Sequence, residues 1–213
     1  MADTPGVWRT VRGRRVFIAD GQSLSDAMRA SGKFETAKDG GLECTSPSAE
    51  DFKKAFDEAK ATQPPEAAWR VDDTHTVEEY EHDKRFVTKD GSAIAIEKDG
   101  NIISVCKNLK GNDRGSALLK HAVDNGGDRL DAFGETLYNF YTKNGFEPVS
   151  WTKFNEEYAP HDWKKGRDNP EPVIFYKYTG AAPKQSYKDF LKGTKASADY
   201  DEAKSKRDGG MEK

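Results

Sequence analysis

Residues Asn101 to Gly145 read NIISVCKNLKGNDRGSALLKHAVDNGGDRLDAFGETLYNFYTKNG, and the alternation of strand and helix signals within them decides the fold. The β-branched residues Ile102, Ile103 and Val105 come after the turn pair Asp99-Gly100, which predicts a strand. The strand runs into Lys110-Gly111-Asn112-Asp113-Arg114-Gly115. Ser116 to Val123 then places Leu118, Leu119, Ala122 and Val123 on one helical stripe, stopped by Gly126-Gly127. A glycine-bearing turn feeding a helix start leaves backbone N–H groups unpaired at the positive end of the helix dipole, which is an anion site. Taken alone, glycine before a helix is turn chemistry more often than phosphate binding. The next two elements add context. Arg129 to Phe133 is a second strand, and Glu135 to Asn144 a short helix carrying Leu137, Phe140 and Tyr141, closed by Gly145 at the C′ position. Phe146 begins a further strand.

The run Lys110-Gly-Asn-Asp-Arg-Gly115-Ser-Ala-Leu-Leu-Lys-His-Ala resembles motif A of the GNAT acyl-CoA N-acyltransferases, Arg/Gln-x-x-Gly-x-Gly/Ala followed by an Ala-Leu-Leu helix. The run Leu137-Tyr-Asn-Phe-Tyr141-Thr-Lys-Asn-Gly145-Phe146 resembles the closing helix of that family, Phe-Tyr-x-x-x-Gly-Phe. The resemblance spans roughly 65–178, where segments from Val77 to Trp163 are similar to a phage-encoded GNAT-like group. It implies that acetyl-CoA is the cofactor and that an amine, on a protein or a small molecule, is the acceptor. The backbone of Ser104, Val105 and Cys106 would pair with the pantetheine arm. The turn of Lys110, Gly111, Asn112, Arg114, Gly115 and Ser116 would hold the pyrophosphate. Tyr141 would protonate the departing thiolate, and Asp131 or Glu135 would serve as base. Two residues depart from the pattern. Asp113 stands where the first motif glycine belongs, and a carboxylate there opposes a pyrophosphate unless it points away. Gly134 stands where many members carry an asparagine.

Composition bounds the rest. At 213 residues one main domain with appendages is expected. Charged residues make up 33% of the chain and the mean hydropathy is -0.91, too polar for compact packing throughout, so part should be extended or disordered. The formal net charge of -3 gives no global field favouring nucleic acid or a membrane. Cys44 and Cys106 form no CxxC pair, which supports neither a metal site nor a disulfide framework. Cys106 reads as a small buried residue. No apolar run approaches membrane-spanning length and no leader pattern is visible, so the expected compartment is the cytoplasm, that of the host if the chain is phage-encoded.

Along the chain, Trp8 to Ile18 reads as a hairpin turning near Arg12-Gly13, with Val11, Val16 and Ile18 as one apolar set. Its arginines, Arg9, Arg12, Arg14 and Arg15, fit a solvated strand edge better than a nucleic-acid patch. The pattern Trp-x-Thr-x-x-Gly-Arg-x-Val-x-Ile is similar to segments of phage head-associated proteins. Gly21 to Cys44 reads as a linker with one turn of helix at Leu24 to Ala30. Ser48 caps a helix whose Phe52, Ala55, Phe56 and Ala59 share a face, ended by Pro64-Pro65. Trp69 and Val71 read as a first strand, Thr76 caps a short helix through Tyr80, and Arg85–Thr88, Ser92–Glu97 and Ile102–Lys107 form a meander on two Asp-Gly turns. Phe146–Phe154 and Pro172–Tyr178 are further strands, joined by a long loop that would wall an acceptor pocket.

The expected fold class is therefore α/β in the broad sense (α+β): a GNAT-like, mainly antiparallel mixed sheet flanked by helices. Residues 1–44 would be a hairpin and linker, 45–180 the acyltransferase domain, and 181–213 a charged, flexible tail. The two appendages would be docking arms for a phage structural or host protein. The competing reading is a catalytically degenerate GNAT-fold interaction module, such as one associated with a virion.

Overall fold

The computed structural model describes residues 6–11, 14–19 and 42–209. It divides into two compact units, residues 1–41 and 42–213. In the first, β1 (Gly6–Val11) and β2 (Arg14–Ala19) form an antiparallel hairpin in which Trp8 pairs with Phe17 and Val11 with Arg14. Positions 11, 16 and 18 fall on one side of this ladder, as the sequence pattern requires. The arginine at 12 and the helical turn expected at Leu24 to Ala30 lie outside the described residues.

The second unit is a mixed α/β structure with antiparallel sheets flanked by helices. One sheet has the order β3 (Cys44–Thr45), β4 (Lys84–Thr88), β5 (Ala93–Ile96), β6 (Ile102–Cys106). Both Asp-Gly turns form as expected, with Gly91 at φ 82° and Gly100 at φ 93°. Strand β5 is buried on both faces: Ala93 and Ala95 lie under helix α1 (Ala49–Lys60), and Ile94 and Ile96 join the larger core. The alternation of alanine and isoleucine matches a close helix on one side and a deeper layer on the other. Ser48 caps α1, its hydroxyl accepting from the Asp51 amide at 3.1 Å. Phe52 and Phe56 are fully buried, each worth about 1.5–3 kcal/mol.

Two short helices come next, α2 (Pro65–Ala68) and α3 (Val77–Tyr80), the latter closed by a capping box between Thr76 and Glu79. Trp69 and Val71 are not a strand. The amides of Arg70 and Val71 bond to Ala67 and Ala68 in turns that continue α2, and Trp69 is buried in an aromatic cluster with Phe133 and Phe154. The strand at the far edge is instead Cys44–Thr45, at the end of the stretch that reads as linker.

Helix α4 (Gly115–Asp124) and helix α5 (Gly134–Lys143) pack on the larger core through Leu118, Leu119, Ala122, Val123, Tyr138 and Tyr141. Between them lies β7 (Arg129–Phe133), the first strand of a three-stranded antiparallel sheet ordered β7, β9 (Val173–Tyr178), β8 (Phe146–Thr152).

From Gly180 to Gly209 the chain is not a flexible tail. Ser186 caps α6 (Tyr187–Gly193) and Asp199 caps α7 (Tyr200–Asp208). Phe190, Ala203 and Arg207 are buried. Composition misleads here because part of what anchors the segment is a paired polar side chain, Arg207, rather than an apolar one.

Candidate functional site

Where the two sheets of the larger unit meet, β6 and β7 are joined by a parallel bridge at their starts. Asn101 bridges Arg129, and the Asp128 amide donates to the Gly100 carbonyl at 2.9 Å. Beyond that point neither strand has a further partner on its facing edge among the described residues. Two unpaired strand edges therefore flank a gap in the hydrogen-bond ladder, an arrangement that can pair with an extended, amide-bearing ligand.

At the β6 edge the pairing with β5 shifts register between Ala93 and Ala95, and Ser104 takes φ 53°, the only described non-glycine residue in the left-handed region. Its hydroxyl shares a hydrogen bond of 2.5 Å with the hydroxyl of Tyr80, which is fully buried. The His75 ring stacks on Tyr80 with centroids 5.6 Å apart. No local sequence signal marks this bond, because its partners are 24 residues apart. Cys106 is buried against α1, and burial pushes its thiol up to about 12.

The bend after β6 divides in two. The amides of Leu109, Lys110, Gly111 and Asn112 go to the Thr62 hydroxyl, the Asn108 side chain, the Asn108 carbonyl and the Asp90 carboxylate, the last at 2.7 Å. A Cβ on Gly111 would come within 2.6 Å of Asp90 Cβ, so glycine is required by that contact. The expectation that the amides of Gly111 and Asn112 face an anion is thus corrected: Asp90, which the sequence marks only as a turn residue, has taken the second of them. The amides of residues 113–116 have no partner among the described residues, and Arg114, at the N-cap, provides no side-chain cap. Four consecutive N–H groups open the helix. Lys110, Arg114 and Ser116 are exposed beside them, and no ion pair is made by either cation among the described residues. Asp113 turns onto the sheet, where its carboxylate accepts from the Thr88 hydroxyl. Gly115 stands against Phe140, whose ring would lie 3.3 Å from an added Cβ.

Tyr141 is a core residue, 6% exposed, with its ring against Phe140, Phe146 and Tyr176. Its hydroxyl has no hydrogen-bond partner among the described residues, yet it is not one of the fully enclosed unpaired atoms. Burial, helped by the charge of Asp131, pushes its pKa well up, so the phenol is protonated at neutral pH.

Asp131 lies on the opposite side of β7. Leu130 and Ala132 face the α4–α5 core, whereas Asp131 Oδ1 accepts from the Tyr200 hydroxyl at 3.0 Å and lies 3.9 Å from Arg207. Burial raises its pKa, against the pull of that hydrogen bond and that cation. The charge of Asp72 disfavours ionisation of Tyr80, Asp131 and Tyr200 alike. Glu135 is exposed in the first turn of α5, the place of a dipole partner.

The loop after β8 is held by Phe154 packed at a tilt against Trp163 and by Arg70 bonding both oxygens of Glu171 at 2.7 and 3.0 Å. Gly134, at φ 72°, leaves room for Glu171, whose carboxylate would sit 2.2 Å from an added Cβ. The asparagine that the family pattern carries at this position would displace the Glu171 carboxylate from its place beside Arg70. Asp162 and Arg167 from the loop, with Lys60, Ala61, Gln63, Pro65 and Ala68, line a cavity of about 300 Å³. Gln63 also donates to the Lys107 carbonyl at 2.5 Å, which joins this cavity to the end of β6. Among the described residues there is no cluster able to hold a metal ion, and no helix long and apolar enough to cross a membrane.

Compared with known proteins, the chain matches no family model, no curated protein and no solved structure.

Proposed function

We propose that this chain is a GNAT-type N-acyltransferase that uses acetyl-CoA to acylate an amine. The observation that carries the reading is the gap between the parallel strands β6 and β7, opening beside a helix start with four free amides. The element order supports it, since a meander, a strand, a glycine-bearing bend, a helix, a strand and a tyrosine-bearing helix is the order the resemblance implies.

Acetyl-CoA would supply an activated acyl thioester. The residues present fit it in three places. The free edge of Ser104, Val105 and Cys106 can pair with the amides of its pantetheine arm, and the amides of 113–116, with Lys110 and Arg114, can hold its diphosphate. Tyr141, protonated, can give its proton to the sulfur as the carbon–sulfur bond breaks. Asp131, with its raised pKa, is the carboxylate that can take the proton released when the amine nitrogen bonds to the acyl carbon. The cavity beside Gln63 gives the acceptor an approach to the end of β6.

A specific observation favours the second reading, a GNAT-shaped interaction module without catalysis: Asp90 already occupies the Asn112 amide, and the Tyr141 ring is interior. Calorimetric titration with acetyl-CoA separates the two. The transferase reading expects binding that Gly115→Glu weakens at least about 100-fold, about 2.7 kcal/mol, by placing a carboxylate at the diphosphate. No heat at millimolar cofactor would remove that reading.

A further inference from the structure

We propose that helix α7 is a working part of the site, with Tyr200 and Arg207 as positioning residues that hold the Asp131 carboxylate on the face of β7 opposite the α4–α5 core. This rests on the acyltransferase reading and adds to it a C-terminal element that the motif resemblance does not include.

Three contacts fasten α7 to the point where β6 and β7 part. Arg207 donates to Asn101 Oδ1 at 2.9 Å, and Asn101 is the residue that bridges Arg129. Arg129 reaches back to Asp208 at 3.3 Å. Tyr200 donates to Asp131 Oδ1 at 3.0 Å while its ring packs edge-on against Phe175 at 4.9 Å. Arg207 is fully buried and lies over the Phe175 ring at 5.7 Å. A guanidinium is buried at this cost only where its partners are fixed. Its placement holds the strand junction with one nitrogen and adds a positive charge 3.9 Å from Asp131.

The groups that act on Asp131 are Tyr200, Arg207 and Lys204 from α7 and Asp72 from the segment before α3. Asp72 disfavours the ionised form and the three from α7 favour it. With only Oδ1 bonded to α7 among the described residues, the second oxygen is left for a proton. The helix thereby fixes both which oxygen works and the pH at which it is ionised.

The test is Tyr200→Phe, which removes the hydroxyl and keeps the ring packed on Phe175. The Asp131 carboxyl carbon is followed by NMR titration in the full chain, and turnover is followed against pH. The expected result is a rise of about one pH unit in the Asp131 midpoint, the scale of one hydrogen bond to a charged group, with the acid limb of turnover moving up alongside it. Acetyl-CoA affinity should stay within about twofold of the parent, a change of under about 0.5 kcal/mol. An unmoved or lowered Asp131 midpoint overturns the proposal. Absence of acetyl-CoA binding in the parent chain would instead remove the transferase reading, and the titration of Asp131 would still decide whether Tyr200 controls its ionisation.

Discussion

The two sides of the β6–β7 gap are made of different materials. On the α4 side the candidate groups are backbone amides at a helix start and a tyrosine ring embedded in apolar packing. On the α7 side they are polar side chains bonded to one another: Ser104 to Tyr80, Asp131 to Tyr200, Arg207 to Asn101 and Asp208. The first kind of site is specified locally, by glycine and helix signals within a dozen residues. The second depends on contacts whose partners are 24, 69 and 106 residues apart, so that side forms only when the whole chain has folded. The α7 side should therefore be the more sensitive to mutation in stability, and the α4 side in cofactor binding.

The largest effect expected from this contrast is at Arg207. Arg207→Met keeps volume but leaves Asn101 Oδ1 without its donor and Asp208 with Arg129 alone, at a cost of about 3 kcal/mol by urea unfolding. Acetyl-CoA affinity, measured where the variant is folded, should be nearly unchanged. Equal losses of stability and affinity would break the division between the two sides.

Tyr141→Phe probes the other side. The hydroxyl has no partner among the described residues, so the unfolding midpoint should not move, while kcat should fall about 100-fold, about 2.7 kcal/mol, with cofactor affinity preserved. A variant that turned over normally would show that the thiolate takes its proton elsewhere.

These two residues also show what is legible in the sequence and why. The meander, the Asp-Gly turns, β7, α4 and α5 are readable because each rests on a local period or a turn residue. Trp69 reads as strand only because a β-prone aromatic comes soon after a proline pair. Its burial is decided by Phe133 and Phe154, far along the chain. The 181–209 segment reads as a tail because a lysine-rich, aspartate-rich composition hides two capped helices and a buried arginine. At the site, the bend and Tyr141 stand out by their pattern, and Asp131 by its place on a strand. Tyr80, Tyr200, Arg207 and Asp90 do not, since nothing local distinguishes a tyrosine that bonds across the sheet from one that merely packs.

Asp113 is the point at which the α4 side borrows the other side's material, a carboxylate tied off by a side-chain hydroxyl on β4. With Thr88 holding it, the charge remains near the bend but off the free amides. Asp113→Asn keeps an acceptor for Thr88 and removes the repulsion, so acetyl-CoA should bind about fivefold more tightly, about 1 kcal/mol. Unchanged affinity would mean that the Thr88 bond already isolates the carboxylate completely.

The smallest expected effect is a pH dependence seated on α4. His121 packs edge-on against Phe86 with centroids 4.7 Å apart, and its Nε2 is enclosed with no partner. Burial lowers its pKa, opposed by Asp124 and aided by Lys120, so the folded chain holds the ring neutral where the unfolded chain would protonate it. The unfolded state then binds more protons below the ordinary histidine value, about 6.5, and stability falls as pH drops through that window until the folded-state value is passed. His121→Leu removes the titrating ring and keeps an apolar contact with Phe86. The difference in unfolding free energy between parent and variant should be flat above about pH 7 and move in the variant's favour as the solution is acidified below about 6.5. A difference that stays constant from about pH 7 to about pH 5 would mean that His121 titrates alike in both states. The enclosed nitrogen would then be reached by solvent, and the α4 side would be less tightly packed than its buried leucines indicate.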